Sequence, residues 1–155
     1  LEWLGELGMF AQIQVQGDQL VALRPMLEAS GVRLLFDHCG RPDVAAGPGQ
    51  PGFASLLELG RRGNAWIKLS GYMKFSRESY PYADTWPFIR ALVDAFGSDR
   101  CLWGSDWPFL RAPERIDYGP LLTLFARLFP EDAVRRRILW ENPAALFGFA
   151  PAPGN

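Results

Sequence analysis

Arg100-Cys-Leu-Trp-Gly-Ser-Asp-Trp-Pro108 decides how the rest of the chain is read. A short apolar run reaches Gly104, delivers one carboxylate, Asp106, and enters a turn fixed by Pro108. A buried strand that stops at an acid is how α/β barrels place functional groups at the carboxyl-end face of the sheet. A second run, Val32-Arg-Leu-Leu-Phe-Asp-His-Cys-Gly40, ends the same way, at Asp37 and at His38, the one histidine of the chain. Two strand ends, one carrying an acid and the other a base, point to one shared site.

Working outward, the chain alternates strands with helices. The strands are expected over 10–16, 33–38, 65–70 and 101–105, and the helices between them over 19–30, 53–62 and 85–96. Three further helices are expected over 118–129, 131–140 and 143–147, with Asn142 as a cap and Pro143 in the first turn. Pro25 predicts a kink or a late start in the first long helix. Such alternation implies parallel βαβ units. The long Gly/Pro-rich connections 40–52 and 71–84 follow strand ends, where barrel enzymes keep their binding loops.

The alternation within two strands says more. Gln12, Gln14 and Gln16 share one face, with Ile13 and Val15 on the other; Trp66, Lys68 and Ser70 share one face, with Ile67 and Leu69 on the other. A parallel sheet covered by helices on both faces is nearly all apolar. One apolar and one polar face suit a barrel whose interior reaches a wet site; a sheet with one side open to solvent is the alternative.

Composition narrows the field. The chain has 155 residues, 48% of them hydrophobic, and a net charge of −1, which is globular and neither disordered nor nucleic-acid-like. The one basic cluster, Arg135-Arg136-Arg137, points three ways on a helix and reads as a solvated face. No apolar run approaches the roughly 20 residues of a membrane span. Two cysteines, Cys39 and Cys101, each at or in an expected strand, read as reduced buried thiols of a cytoplasmic protein. The opening Leu1-Glu-Trp-Leu-Gly-Glu-Leu-Gly8 reads as the end of a helix, as expected of a piece of something longer. One domain is expected over 1–149, followed by a flexible tail over 150–155.

Read singly, each chemical residue has two meanings. Asp106 can serve as general base or metal ligand, or it can cap its loop. His38 can hold a substrate oxygen or a metal, or bond a backbone carbonyl. Asp37, alternating to the other face, is expected to orient a loop. Lys68, pointing inward, needs a carboxylate partner or an anionic substrate. Tyr72, Lys74, Arg77 and Arg111 lie just beyond strand ends, where two or more converging could grip a substrate carboxylate.

Taken in order, Asp37-His-Cys-Gly-Arg-Pro42, Lys68-Leu-Ser-Gly71, Trp103-Gly-Ser-Asp-Trp-Pro108 and Asn142-Pro-Ala-Ala-Leu-Phe-Gly-Phe149 resemble the second half of the amidohydrolase-2 branch of the amidohydrolase superfamily, closest to the 2-pyrone-4,6-dicarboxylate hydrolase-like lactonases. The resemblance implies the C-terminal half of a (β/α)8 TIM barrel of the metal-dependent-hydrolase type. It implies Asp106 as the acid that activates water and His38 as a catalytic partner. The same resemblance gives Lys74 to a substrate carboxylate, at a position where relatives often carry Arg. For a cofactor it implies none, or a single divalent metal, Zn or Mn, with His38 and Asp106 as ligands if one is bound. The partners expected are a small carboxylated substrate, the missing N-terminal half of the barrel, and a second copy of the chain in a homo-oligomer; neither nucleic acid nor membrane is expected. The family's His-x-His pair on the first strand has no counterpart in a chain with one histidine. Four strands cannot close a barrel that takes about 250 residues. The chain alone is therefore expected to be inactive and its parent a lactone hydrolase. A decarboxylase of aromatic or muconate-type acids and an inert half-barrel interaction module are the alternatives.

Overall fold

The computed structural model describes residues 1–149. The expected tail over 150–155 lies outside the described residues. Four strands, β1 (Phe10–Ile13), β2 (Arg33–Phe36), β3 (Ala65–Leu69) and β4 (Cys101–Trp103), form one sheet in sequence order, every neighbouring pair parallel. The helices are α1 (Glu2–Glu6), α2 (Gln19–Ala29), α3 (Pro51–Arg61), α4 (Trp86–Phe96), α5 (Tyr118–Leu128), α6 (Asp132–Arg136) and α7 (Asn142–Phe147). Successive strands joined through helices and lying side by side make βα units, the repeating element of a (β/α)8 barrel.

The register sorts the side chains into two faces. Ile13, Phe36 and Ile67 share one row, continued by Cys101, and Leu69 sits beside Trp103. This face belongs to the main hydrophobic core with Leu56 and Leu59 of α3 and Ile89, Leu92 and Phe96 of α4. The other face carries Gln12, Leu35 and Trp66 in one row and Lys68 beside Leu102 in the next. The polar alternation expected for β1 and β3 is thus interrupted by leucines from β2 and β4. Helix α7 crosses this inner face. Its Phe147 meets Phe10 edge to face, ring centroids 5.7 Å apart, and Leu35 of the same sheet face is fully buried.

Several boundaries differ from the sequence expectation. Strand β1 stops at Ile13, where its ladder with β2 ends, and Gln14 and Gln16 continue as an irregular wall. Helix α2 runs unbroken through Pro25. Pro25 and Val21, whose carbonyl the missing N–H would have paired, are both exposed, so water can satisfy that carbonyl. Asn142 caps nothing. A π-helical turn, Arg137–Glu141, joins α6 to α7, and the Asn142 side chain donates to the carbonyls of Ser98 and Cys101, both at 2.7 Å. That clamp fixes the start of β4, and hence the strand that carries Asp106.

Candidate active site

The site forms where β2, β3 and β4 end. After Asp37 the chain turns through left-handed backbone at His38 (φ 51), Cys39 (φ 56) and Arg41 (φ 43). This turn swings His38 out of the strand's alternation. Cys39 anchors it from below: its buried Sγ lies 3.8 Å from the Lys68 carbonyl and 3.7 Å from that of Ser70. Burial pushes this thiol up to about 12, so Cys39 is a packing group and not a nucleophile. Asp106 also sits in left-handed backbone (φ 65), a region aspartate tolerates better than most residues.

The result is convergence. His38 Nδ1 lies 3.5 Å from Asp106 Oδ1 and 2.9 Å from Ser70 Oγ. Lys74, on the turn after β3, places Nζ 2.6 Å from Asp106 Oδ2, an ion pair whose angle falls short of an aligned hydrogen bond. The Asp106 carboxyl is only 8% exposed. Burial pushes the His38 imidazole below its ordinary value, against the pull of the Asp106 and Asp37 carboxylates. Burial thus favours the neutral ring. A cavity of about 350 Å³ opens on His38, Lys68, Ser70 and Asp106, with Pro143 and Phe147 of α7 opposite.

Beneath it lies a second ionic group. Lys68 Nζ is 2.8 Å from Asp37 Oδ1, and Gln12 Nε2 donates to Asp37 Oδ2 at 2.8 Å. Lys68 thus has the carboxylate partner that an inward ammonium needs. Asp37, expected to orient a loop, lies instead on the inner face as that partner.

The other expected ligand residues part company. Tyr72 belongs to the core: it is 1% exposed and its hydroxyl donates to the Leu69 carbonyl at 3.0 Å, so it does not reach the cavity. Arg77 pairs with Asp43 at 3.2 Å on the surface and lines neither cavity. Lys74, assigned to a substrate carboxylate by sequence, spends its short contact on Asp106. Arg111 does line a larger open cavity of about 800 Å³, together with Gln14, Arg41 and Lys74. Lys74 borders that cavity on one side and touches Asp106 on the other.

The sequence places Ser70 on the same face as Lys68 but assigns no role in the site to it, to Arg41 or to the Asn142 side chain. Arg41 carried no signal, because its placement depends on a left-handed turn.

The family model described as Amidohydrolase matches residues 1–149. The chain belongs to the amidohydrolase family. It is 40% identical over 149 residues to a 4-sulfomuconolactone hydrolase of Rhizobium radiobacter, an alignment covering 94% of this chain and 50% of that protein. It is 37% identical over 142 residues to a D-galactarolactone isomerase of Agrobacterium fabrum, covering 90% and 48%. Among solved structures, a Pseudomonas putida protein provisionally named 2-pyrone-4,6-dicarboxylic acid hydrolase superposes with a TM-score of 0.83 at 35% identity, covering 97% of this chain and 55% of that one. The chain spans about half the length of the curated relatives it matches, and its fold is half of the amidohydrolase (β/α)8 barrel.

The donors present in this half do not by themselves make a metal site. No group of three or more His, Cys, Asp or Glu side chains is arranged to hold one among the described residues. Of the two candidates, Asp106 already has one oxygen against an ammonium, which repels a cation. No helix among the described residues is long and apolar enough to cross a membrane.

Proposed function

We propose that this amidohydrolase chain supplies the general base and the oxyanion partner of a lactone hydrolase. The observation that carries the reading is the approach of the His38 imidazole and the Lys74 ammonium to opposite oxygens of one buried carboxylate, Asp106. Lys74 fixes Oδ2, so the carboxylate cannot swing, and Oδ1 remains to accept a proton.

Water attacks the lactone carbonyl carbon while Asp106 takes one of its protons. The carbonyl π bond opens onto oxygen, and the oxyanion accepts a hydrogen bond from the His38 ring. The tetrahedral intermediate then re-forms its carbonyl, the ring C–O bond breaks, and Asp106 returns the proton to the leaving oxygen. The product is the ring-opened hydroxy acid or its keto tautomer, with no release of carbon dioxide. Arg111, from the wall of the larger cavity, takes a carboxylate of the substrate, as a guanidinium does well. The donors for a closed barrel come from the other half of the whole protein, which this reading makes necessary for turnover. Cys39 and Cys101 are both buried and free, which fits a reducing compartment, the cytoplasm.

The test is Asp106→Asn in the intact protein. Turnover of a carboxylated lactone should fall by three orders of magnitude or more, on the order expected for losing a general base from a concerted site, with the folded spectrum unchanged. Unchanged turnover removes Asp106 from the chemistry, and release of carbon dioxide in place of simple ring opening replaces hydrolysis with decarboxylation.

A further inference from the structure

The Nδ1 edge of His38 faces two groups, Ser70 Oγ at 2.9 Å and Asp106 Oδ1 at 3.5 Å. Only the first distance is that of a hydrogen bond. A neutral imidazole has one N–H and one bare nitrogen, and the partner of one nitrogen settles the state of the other.

Counting donors separates the two tautomers. If Nδ1 carried the proton it would donate to Ser70 Oγ, and the Ser70 hydroxyl proton would have no acceptor among the described residues. Ser70 is 2% exposed, so that orphaned donor would be buried, which is costly. With the proton on Nε2, the Ser70 hydroxyl donates to Nδ1 and no buried donor is left over. The Asp106 carboxylate pulls the other way, but it stands beyond hydrogen-bond distance and shares its charge with Lys74.

The backbone around Ser70 is built for this contact. Gly71 adopts φ +69, and a Cβ there would approach His38 Cβ at 3.1 Å and Nδ1 at 3.2 Å, so the missing side chain is what lets the ring lie against β3. On the far side, a Cβ at Gly104 would sit 3.4 Å from Ser70 Cβ. Ser70 is thus held between the imidazole and the end of β4.

We infer that Ser70 is a positioning residue for the proposed reaction: its hydroxyl donates to Nδ1 of His38 and locks the ring as the Nε2–H tautomer. The free edge of the ring then presents a donor, which an oxyanion needs, and not a lone pair. The consequence for catalysis rests on the hydrolase reading; the tautomer does not, so each can fail alone.

In the intact protein carrying ¹⁵N-labelled histidine, with the His38 signals assigned as those lost in His38→Gln, the neutral ring at about pH 8 reports its tautomer by which nitrogen is protonated. The wild type should be predominantly Nε2–H. One hydrogen bond of ordinary strength biases the equilibrium by about tenfold, so Ser70→Ala should shift the ratio toward Nδ1–H by about that factor, while Ser70→Thr, which keeps the hydroxyl, should leave it as in the wild type. A wild-type ring protonated mainly on Nδ1 overturns the inference whether or not the variants fold. So does an unchanged tautomer ratio in folded Ser70→Ala. In the intact protein Ser70→Ala should lower kcat and leave KM nearly unchanged; a change confined to KM would also overturn it.

Discussion

Replacing Lys68 with methionine isolates the energetics of the inner face. The substitution keeps the length of the aliphatic stem and deletes one charge. Lys68 and Asp37 face each other at 2.8 Å, with side chains 26% and 9% exposed. At an effective dielectric of about 20, that separation corresponds to a gross attraction of about 6 kcal/mol. Desolvation of both ions cancels much of it, and the quarter-exposed ammonium is partly screened. What remains after the deletion is the Asp37 carboxylate, still buried and served only by Gln12. Stranding one member of a buried pair costs about 3–5 kcal/mol; discounted for the exposure of Lys68, the expected loss is about 2–4 kcal/mol. Urea denaturation followed by tryptophan fluorescence reads it as a lower midpoint at constant slope. The double variant Lys68→Met/Asp37→Leu should recover most of the loss, because a buried pair exchanged for apolar groups is close to neutral. A single variant within about 0.5 kcal/mol of wild type, typical of a surface substitution, or a double variant as unstable as the single one, would refute the view that Asp37 needs Lys68.

Three further outcomes follow from the site. Gly71→Ala should cost about 1–2 kcal/mol, since alanine is strained at φ +69 and its Cβ crowds His38; the same melt checks it, and a shifted imidazole signal shows that the ring has moved. Because burial lowers the His38 value in the folded chain, the unfolded chain binds this proton first. The corresponding stability is intact above about pH 6.5, the ordinary imidazole value, and is lost as pH falls through the folded value; His38→Gln should flatten that part of the stability profile and leave the carboxylate-driven fall at lower pH. Arg41→Met should weaken binding of isophthalate, a ring bearing two carboxylates, by about tenfold, the worth of a charge-assisted hydrogen bond, and leave a neutral ring ester unaffected. Its guanidinium lines the larger cavity with a shielded Nε that has no partner among the described residues, and calorimetry on the wild type and the variant makes the comparison.

The parts of this fold that could be read in advance are those governed by a single period. Ile67 and Leu69 against Trp66 and Lys68 gave the faces of β3, because side chains of a strand alternate whatever the tertiary setting. The same rule misled at Asp37 and His38. It placed them on opposite faces, yet four consecutive positive-φ residues after β2, His38 to Arg41, bring both to the same side, and such a turn leaves no periodic trace. Tyr72 failed for a related reason. A tyrosine just past a strand end looks like a ligand-facing group, but a 3₁₀ turn folds it back into the core, where the Leu69 carbonyl accepts its hydroxyl hydrogen.

Asp106 and His38 were recognisable as a pair because each closes an apolar run, so the sheet itself carries them to one end. What the chain order could not show is the third member of the group, Lys74. Lys74 lies more than 30 residues from Asp106, on a turn that has no strand to aim it, yet its ammonium makes the shortest contact in the site. That contact bears on mechanism. A base held by one oxygen keeps its other oxygen in place for water without reorganising as charge develops, which is how a preorganised site lowers a barrier. Substrate recognition then falls to groups that Lys74 leaves free, the guanidiniums of Arg41 and Arg111 on its far side. In this arrangement one lysine separates the place where the ester is opened from the place where its carboxylate is held.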